Sequence, residues 1–409
     1  MITVEKLLDQ WEDVFYGNIN FSCTHGVLFT SSLVKKNTRL KISDKMTHLK
    51  FEVFSVCYGL CIKKKKSNFI ENIIMYNSKI IGLGKYLPEN VVTNTDLEKI
   101  METSDAWIQE RTGIKERRHI VKGDGNSTSV MGVKAAKIAI ERAGLTPNDI
   151  DFILFATLSP DYYFPGSGVL VQEALAIPDC PAMDIRMQCS GFVYALATAD
   201  QFIKTGMYKN VLVIGSEYHS GGLDMTTRGR NISVIFGDGA GAAVLTRSEN
   251  TKEGILCSHL HSEGKHAEEL SLIGPNTGRW VPEILSANDP DDISYYPYMN
   301  GQFVFKNAVV RFSEVIHKGL VTAGWEKEEI GMLIPHQANL RIAQFVQKKF
   351  GLSDAQVYNN IERYGNTTAA SIPIALTEAW EEGKVVQGTK VVLAAFGSGF
   401  TWGSVMIQW

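Results

Sequence analysis

The sequence lacks the features that mark several common classes of protein. It has no excess of either charge, because 41 lysines and arginines stand against 44 aspartates and glutamates, a formal net charge of −3. A chain so close to neutral offers no general electrostatic case for nucleic-acid binding. The six cysteines are scattered, without paired CxxC spacing or a neighbouring histidine cluster. We therefore expect reduced thiols, a cytoplasmic protein and no metal site.

A membrane-spanning run and a nucleotide-binding glycine motif are also missing. In the first 74 residues the one apolar stretch, "FEVFSVCYGLCI", has 12 residues and is too short to cross a bilayer. The run "GDGAGAAV" at 237–244 is rich in glycine but does not have the GxGxxG spacing, and it precedes a strand instead of a helix. We expect neither a membrane span nor a dinucleotide.

Residues 1–74 differ in character from the rest of the chain. They show no clear periodicity, and the basic run Lys63 to Lys66 follows the apolar stretch, the wrong order for a signal peptide. The segment "MYNSKIIGLGKYLPENVVTN" from Met75 resembles a natural protein start. We expect 1–74 to be a poorly ordered extension of unknown role or a sequence translated upstream of the natural start, dispensable for folding and activity; attachment to a lipid surface is the alternative.

The remaining chain contains a weak internal repeat. The segment "KTGMYKNVLVIGSE" parallels "EEGKVVQGTKVVLAAFGSG", and "FGDGAGAAVL" parallels "FGSGFTWGSVMI", with offsets of roughly 160 to 180 residues. Strands alternate with helices in both copies, which predicts an α/β fold of two similar halves, 75–250 and 251–409, each with a mixed sheet covered by helices. Superposing the halves places Asn366 at the position of Cys189 and His336 at a turn matching "ATLSP".

Cys189 stands in "MQCSGFVYALATAD" (187–200), where "AMDIRM" predicts a buried strand just before it. Apolar residues recur after it at helical spacing, namely Phe192, Ala195, Leu196, Ala199, Phe202 and Ile203. A cysteine at such a helix start lies beside unpaired N–H groups and the positive end of the helix dipole. These surroundings lower a cysteine pKa from about 8.5 towards roughly 3.5 to 7.5 and favour the thiolate. The alternative is an inert packing residue.

Four motifs in order resemble a known family, the ketoacyl-ACP synthase III enzymes of the thiolase fold. They are "CSGFVYAL" around Cys189, "PHQANLRI" around His336, "YGNTTAASIP" around Asn366, and the ending "FGSGFTWGSVMIQW". The resemblance covers residues 75–409. It implies a thiolase-like α/β fold with two pseudo-symmetric βαβαβ-type halves.

The resemblance also implies a reaction and its catalytic residues. Cys189 would take an acyl group from acyl-CoA, and malonyl-ACP would lose CO2 with hydrogen bonds from His336 and Asn366. The product would be 3-oxoacyl-ACP, at the start of type II fatty-acid synthesis. Backbone N–H groups of Cys189 and Ser398 would form the oxyanion hole, where the family often has glycine or alanine at 398. No cofactor or metal would be needed.

Binding residues follow from the same resemblance. CoA contacts would come from Trp107, Arg111, Arg228, Phe305 and Asn339, whereas Gln302 replaces an asparagine common in the family. The acyl carrier protein would contact Arg341, Lys348 and Lys349, the first two of which lie seven residues apart on one helix face. Phe164 would reach the acyl pocket of a partner in a homodimer.

Each of these residues also has a simpler interpretation. The arginines and lysines could be ordinary solvated surface groups, and Trp107 could be a core residue. The closest alternative function is a condensing enzyme of secondary metabolism that makes quinolone- or resorcinol-like products. A catalytically silent partner subunit is the alternative from another class, although Cys189, His336 and Asn366 argue against silence.

Overall fold

The computed structural model describes residues 76–248, 250–276, 278 and 292–409. The predictions made for residues 1–74 lie outside these described residues. Met75–Trp409 forms one compact unit.

Thirteen strands occur in the described ranges. They are β1 Asn77–Tyr86, β2 Val91–Thr93, β3 Glu116–Arg118, β4 Phe152–Ala156, β5 Ala182–Ile185, β6 Asn210–Glu217, β7 Gly239–Ser248, β8 Gly254–Ser262, β9 Leu270–Ser271, β10 Tyr298–Met299, β11 Met332–Pro335, β12 Lys390–Gly397 and β13 Thr401–Gln408. Ten α-helices occur in the same part of the chain. They are α1 Asn94–Glu98, α2 Asp105–Thr112, α3 Thr128–Arg142, α4 Ser167–Ala174, α5 Gly191–Lys204, α6 Arg230–Ser233, α7 Gly301–Ala323, α8 Leu340–Phe350, α9 Ile361–Tyr364 and α10 Ser371–Glu381.

Two mixed sheets organise the fold. The first has the strand order β1-β7-β6-β4-β5 and the second has the order β11-β12-β13-β8. In the first sheet β4 runs parallel to β6, β6 pairs antiparallel with β7, and β7 pairs antiparallel with β1. The second sheet repeats this pattern, because β11 is parallel to β12 and the remaining pairs are antiparallel. The predicted pair of similar mixed sheets is confirmed.

Helices cover both sheets and fill the space between them. The outer helix α3 packs on the first sheet, and α7 packs on the second. Helices α5 and α10 contact strands of both sheets, so they form a central layer. Strands such as β6, "NVLVIGSE", are buried at every position, as expected for a strand covered on both faces. The thiolase-like arrangement predicted from the sequence is confirmed.

Two local predictions were wrong. The "AMDIRM" strand is β5, which lies at a sheet edge with only one neighbour, and its Met183 side chain is 39% exposed. Asn366 is also not at the position of Cys189. The short 3-10 turns Gln188–Ser190 and Thr368–Ala370 correspond, and each leads into a central helix, so Ala369 matches the cysteine. Asn366 lies three residues earlier, before the turn begins.

Candidate active site

A cavity of about 900 Å³ brings together the three residues predicted to be catalytic. Cys189, His336 and Asn366 all line it, although they come from different elements. Cys189 lies in the turn before α5, His336 follows β11, and Asn366 follows α9. Each is nearly buried, with exposed fractions of 8%, 3% and 6% respectively. The cavity therefore offers one thiol, one imidazole and one amide to a molecule that enters it.

The turn that carries Cys189 approaches the end of β12 closely. A side chain at Gly397 would place its Cβ 2.5 Å from the Cys189 Cβ and 2.9 Å from Sγ. Glycine at 397 thus leaves the room that the cysteine occupies. The backbone N–H groups of Ser398 and of Cys189 itself lie near Sγ, and both act to lower the pKa of the thiol. These are the two N–H groups that the family resemblance predicts to form the oxyanion hole.

The prediction of a lowered pKa for Cys189 was wrong. Burial raises the pKa of the thiol to about 12, and the nearby charge of Glu217 adds to the rise. Hydrogen bonds from the Ser398 and Cys189 N–H groups and from the Thr368 hydroxyl act in the opposite direction. Desolvation of a nearly buried sulfur outweighs the short-range benefit of the helix terminus. The free protein accordingly holds Cys189 as a thiol at neutral pH.

His336 is held with one ring nitrogen engaged and the other available. Its Nδ1 lies 2.6 Å from the Ser371 hydroxyl, and its buried Nε2 has no hydrogen-bond partner within the described residues. Ser371 Oγ also accepts a hydrogen bond of 3.4 Å from the backbone N–H of Gln337. Burial, aided by the neighbouring His219, lowers the pKa of His336 to about 3. The imidazole is therefore neutral, and its partners favour the tautomer that carries the proton on Nε2.

The backbone of Asn366 is fixed on both sides. Its N–H donates to Ile235 and its carbonyl accepts from Gly237, at 2.8 and 3.1 Å. The side-chain Oδ1 accepts a hydrogen bond of 2.8 Å from the backbone N–H of Thr368. With Oδ1 engaged in this way, the NH2 group of the amide is the part of Asn366 that can donate to a ligand in the cavity.

Several of the predicted CoA-binding residues line the same cavity. Trp107, Arg111, Phe305 and Asn339 all do so. The Arg111 guanidinium lies 4.5 Å from the centre of the Trp107 ring. Asn339 caps the start of α8 and donates from Nδ2 to the Arg111 carbonyl at 2.8 Å, which joins two of these residues directly. An aromatic face and a guanidinium thus lie side by side at the cavity.

Arg228 is placed differently from the other predicted CoA contacts. It is absent from the cavity lining and pairs with Asp224 at 2.6 Å, while its guanidinium lies 4.7 Å from the Tyr296 ring centre. Sequence reasoning did not identify Arg230, which lies 5.3 Å from the Trp107 ring centre. Lys306, which lines the cavity, was also missed, because a lysine beside Phe305 gives no distinct signal.

The predicted carrier-binding residues share the exposed face of α8. Arg341, Lys348 and Lys349 are all exposed, and Arg341 also lines the cavity. The helix sequence "LRIAQFVQKKF" contains no acidic residue, and its Phe345 is 45% exposed. A basic surface with one exposed aromatic ring therefore adjoins the cavity.

Phe164 does not line the cavity of its own chain. Its side chain is 81% exposed, and the neighbouring Tyr163 and Tyr162 are 65% and 56% exposed. These three aromatic side chains precede α4. Exposed aromatic clusters of this kind are typical of surfaces that contact another protein.

Further polar residues near the cysteine gave no signal in the sequence. Glu217 is fully buried at the end of β6, and it accepts hydrogen bonds from the backbone N–H groups of Leu158, Ser159 and Ala369 and from two hydroxyl groups. Burial raises the pKa of Glu217 to about 7. His219, Thr368 and Ser371 were likewise not singled out. Single polar residues at the ends of elements look like ordinary loop residues in a sequence.

Two searches of the described residues were negative. None of the helices there combines the length and the hydropathy that a bilayer crossing requires. The same part of the chain holds no group of three histidine, cysteine or acidic side chains arranged to bind a metal ion.

Comparison with known proteins agrees with this geometry. Two family profiles match, 3-oxoacyl-[acyl-carrier-protein (ACP)] synthase III over residues 183–264 and its C-terminal part over 320–409. The β-ketoacyl-[acyl-carrier-protein] synthase III 1 of Vibrio vulnificus is 46% identical over 331 residues, covering 81% of this chain and 99% of the relative.

Solved structures give the same result. The 3-oxoacyl-[acyl-carrier-protein] synthase III of Aquifex aeolicus superposes with a TM-score of 0.74 at 45% identity, covering 81% of this chain and all of that chain. The priming β-ketosynthase of the R1128 polyketide pathway also reaches a TM-score of 0.74, at 29% identity, covering 81% and 96% of the two chains.

Two pseudo-symmetric α/β halves with a cysteine, a histidine and an asparagine around one cavity define a condensing enzyme of the thiolase fold. The chain belongs to the 3-oxoacyl-[acyl-carrier-protein] synthase III family. The predicted acyltransferase class and the initiating condensation of type II fatty-acid synthesis are thereby confirmed, and the alternative in secondary metabolism is not favoured.

Proposed function

We propose that the chain condenses an acyl-CoA primer with malonyl-ACP on Cys189, His336 and Asn366, giving 3-oxoacyl-ACP, CoA and CO2. The observation that carries this proposal is the placement of a thiol, a neutral imidazole and an amide on one cavity, with Nε2 of the imidazole unpartnered among the described residues. A nucleophile and two hydrogen-bond donors are what two successive half-reactions on thioesters require.

The first half-reaction transfers the acyl group to Cys189. Sγ attacks the thioester carbonyl of acyl-CoA, a new S–C bond forms, and the bond to the CoA sulfur breaks. The proton of the Cys189 thiol leaves with CoA, which departs as a thiol. The backbone N–H groups of Cys189 and Ser398 stabilise the oxyanion, and the close approach of Gly397, which precedes Ser398, to the Cys189 turn supports this assignment.

The second half-reaction needs donors at a different place. Loss of CO2 from malonyl-ACP puts negative charge on the thioester oxygen, and Nε2–H of His336 and the NH2 group of Asn366 stabilise it. A neutral His336 suits this task, because it donates a hydrogen bond without giving up a proton. The carbanion then attacks the acyl carbonyl on Cys189, a C–C bond forms, and the C–S bond to the cysteine breaks. The sulfur leaves as a thiolate and takes up a proton from water, which restores the thiol.

Primer profiling tests the proposed function. Acyl-CoA primers of different length and branching are supplied with malonyl-ACP or with malonyl-CoA, and both 3-oxoacyl product and released CO2 are measured. We expect one CO2 per 3-oxoacyl-ACP formed, and a strong preference for the carrier-bound malonyl group. Product from malonyl-CoA alone would favour secondary metabolism, and no product from any primer would indicate a silent subunit.

The mouth of the cavity supports binding of CoA. We assign the ring of Trp107 to adenine stacking and the guanidinium of Arg111 to a phosphate group, with Phe305 and Asn339 along the pantetheine arm. The CoA contact of Arg228 stays a prediction, since Arg228 pairs with Asp224 and does not line the cavity.

Replacing Arg111 with alanine tests these assignments. Arg111→Ala should raise the KM for acyl-CoA several-fold with little change in kcat. Arg142→Ala is the control, because Arg142 binds Glu381 and does not line the cavity. An unchanged KM in Arg111→Ala would remove Arg111 from the CoA site.

The remaining partners are an acyl carrier protein and a second copy of the chain. The acid-free helix α8 supports docking of an acidic carrier on Arg341, Lys348 and Lys349. The exposed Phe164 and the unpaired edge of β5 support a homodimer in which Phe164 enters the partner's acyl pocket. A monomer by light scattering at micromolar concentration would contradict the dimer. The cytoplasmic setting stays a prediction.

A further inference from the structure

The short turn Thr368–Ala370, which we call the second turn, is bonded to both side chains assigned to decarboxylation. The backbone N–H of Thr368 donates to Oδ1 of Asn366 at 2.8 Å. Ser371 follows the turn directly, and its hydroxyl lies 2.6 Å from Nδ1 of His336. A displacement of this turn would therefore move the hydrogen-bond partners of Asn366 and His336 together.

The end of β6 holds the second turn from inside the protein. Oε1 of Glu217, the last residue of β6, accepts a hydrogen bond of 3.3 Å from the backbone N–H of Ala369. Nε2 of His219 lies 2.8 Å from Oγ1 of Thr368. Gly215 permits this close contact, because an added Cβ would lie 2.3 Å from the Ala369 carbonyl oxygen. Two side chains of the first half thus hold the second turn.

Glu217 and His219 act from outside the cavity. They are 0% and 7% exposed, and neither of them lines it. The carboxylate of Glu217 is itself fixed, because its Oε2 accepts hydrogen bonds from two backbone N–H groups and two hydroxyls of residues 157–159. A buried carboxylate with this many partners is a rigid support for the turn that it binds.

The second turn requires such support, because it begins at a residue in an uncommon conformation. The φ of Thr368 is +47°, in the left-handed region that β-branched residues rarely adopt. A strained conformation of this kind persists only where the surrounding contacts hold it. Without its supports the turn should relax and carry the Thr368 N–H away from Asn366.

We propose that Glu217 and His219 are positioning residues that hold the second turn, and through it Asn366 and His336, in the geometry that decarboxylation requires. The inference rests on the proposed function for the task of these two donors. In this role neither Glu217 nor His219 contacts the substrate or exchanges a proton. The first half then supports the donors for decarboxylation in addition to carrying the nucleophile.

The two half-reactions should respond differently to loss of the Glu217 carboxylate. The charge of Glu217 acts to raise the pKa of the Cys189 thiol, so it does not help to form the thiolate. Removing the charge should therefore not slow acyl transfer, whereas displacement of the second turn should slow decarboxylation. A general loss of structure would slow both.

Glu217→Gln tests the proposal with little change in side-chain size. The amide oxygen should take the place of Oε2, which receives four hydrogen bonds, so that the NH2 group faces the N–H of Ala369 and cannot accept from it. We expect kcat for CO2 release from malonyl-ACP to fall about tenfold with KM within about twofold, since a misplaced donor stabilises the transition state less well. The rate of acyl-enzyme formation from radiolabelled acyl-CoA should not fall.

Asp200→Asn is the matched control for removal of a buried carboxylate. Asp200 is 1% exposed, and its side chain accepts from Ser78, Gln201 and Lys204, all in the first half. In the folded variant both half-reactions should keep their normal rates. Equal losses of acylation and CO2 release in Glu217→Gln would overturn the proposal.

Amide hydrogen exchange followed by mass spectrometry measures the support of the turn without substrate. In Glu217→Gln and in His219→Leu, peptides that cover residues 366–371 should exchange about tenfold faster, while those around Cys189 stay unchanged. His219→Gln keeps a group that can hydrogen-bond to Thr368 and should recover most of the protection and of the CO2 release. If Glu217→Gln does not fold, the two His219 variants carry both measurements.

These outcomes separate the inference from the function on which it rests. Unchanged exchange across 366–371 in an enzyme that releases CO2 normally would overturn the inference alone. If the wild type releases no CO2 from malonyl-ACP, the proposed function fails and the inference fails with it.

Discussion

Two turns of the molecule have similar backbone conformations but carry different side chains. One contains Cys189 and the other contains Thr368. Both are short 3-10 turns that lead into a helix of the central layer. Each begins at a non-glycine residue with positive φ, +43° at Gln188 and +47° at Thr368. The first turn then presents a thiol, whereas the second has Ala369 at that position. In the proposed function, the first half supplies the nucleophile and the second half supplies the hydrogen-bond donors.

The strands that end beside these turns account for the difference. The end of β12 beside Cys189 is Gly397, and the N–H of the following Ser398 acts to lower the pKa of the thiol. The end of β6 beside Ala369 is Glu217, whose carboxylate accepts from the Ala369 N–H at 3.3 Å. Gly215 of β6 approaches the backbone of Ala369 just as Gly397 approaches Cys189, so a glycine lies beside both turns and the hydrogen bond to Glu217 is the feature that distinguishes the second turn.

Moving the thiol from the first turn to the second should abolish acyl transfer. In Cys189→Ala/Ala369→Cys we expect no acyl-enzyme from radiolabelled acyl-CoA, a loss of at least about 1,000-fold, as in Cys189→Ala alone. Ala369 is 1% exposed and does not line the cavity, so the new thiol would be buried away from acyl-CoA. Label on residue 369, located by peptide mapping, would show that the two turns are functionally equivalent.

Filling the space beside Cys189 should be the next most damaging change. Gly397→Ala would bring a Cβ within 2.9 Å of Sγ, and the displaced sulfur should be acylated about 100-fold more slowly. The rate of label incorporation measures this. Gly222→Ala is the control, because a Cβ there meets no atom within 4 Å. Acylation at the normal rate in Gly397→Ala would mean that the close approach has no role in placing the nucleophile.

Loss of the Ser371 hydroxyl should affect only the second half-reaction. Ser371 follows the second turn and corresponds to Gly191 after the first, so the first half has no such hydroxyl. Ser371→Ala removes the partner of His336 Nδ1 and should slow condensation about tenfold, less than loss of a whole donor would. Acyl-enzyme formation, measured in parallel, should stay unchanged. A parallel loss of acylation would contradict the assignment of Ser371 to His336.

The two halves also differ at the helices α4 and α8. Helix α4, "SGVLVQEA", has no basic residue, whereas α8 carries Arg341, Lys348 and Lys349. Arg341→Glu/Lys348→Glu should raise the KM for malonyl-ACP about tenfold at low salt, an effect that shrinks as salt rises, with little change in acylation by acyl-CoA. Lys134→Glu/Lys137→Glu, which reverses two exposed charges on α3, is the charge-matched control. Equal losses with both substrates would indicate a defect unrelated to carrier docking.

The smallest effect concerns the buried histidines, one from each half. Burial lowers the pKa of His219 to about 4 and of His336 to about 3, so the unfolded chain binds protons more tightly below pH 6.5. Their contribution to stability is present above pH 6.5 and is lost as the pH falls. Glu217, with its pKa raised to about 7, acts in the opposite sense between pH 4.5 and 7.

His336→Gln isolates the contribution of one buried histidine to the pH dependence of stability. Between pH 6.5 and 4.5 the free energy of unfolding should fall less steeply in the variant, by about 1.4 kcal/mol per pH unit, because one buried histidine is removed. Urea titrations at several pH values measure the slope. Identical slopes in the variant and the wild type would mean that His336 is not held neutral.

Much of the fold could be predicted from the sequence, because it depends on patterns that extend over many residues. Alternating apolar strands and helices, and their repetition, indicated two mixed sheets, which the structure confirms. The sequence predicted that Cys189, His336 and Asn366 lie close together, and all three line one cavity. Their catalytic roles stay predictions.

The parts that failed depend on local dihedrals and on burial. The alignment of Asn366 with Cys189 missed the start of the second turn, which a positive φ at Thr368 defines. Desolvation raises the pKa of Cys189 more than the helix terminus lowers it. The sequence argument considered the helix terminus but not the burial of the sulfur. Glu217 and His219 became visible only when β6 was seen to end beside the second turn.

The central claim is that the first half supplies the nucleophile and the second half supplies the donors for decarboxylation. The most direct test follows two quantities in Asn366→Ala and Cys189→Ala: label retained on the protein from radiolabelled acyl-CoA, and CO2 released from malonyl-ACP. We predict that Asn366→Ala forms acyl-enzyme but releases CO2 about 100- to 1,000-fold more slowly. Cys189→Ala should retain no label while some CO2 release survives. If folded Asn366→Ala retained as little label as Cys189→Ala, the division of labour would be contradicted, and Asn366 would act in positioning the nucleophile.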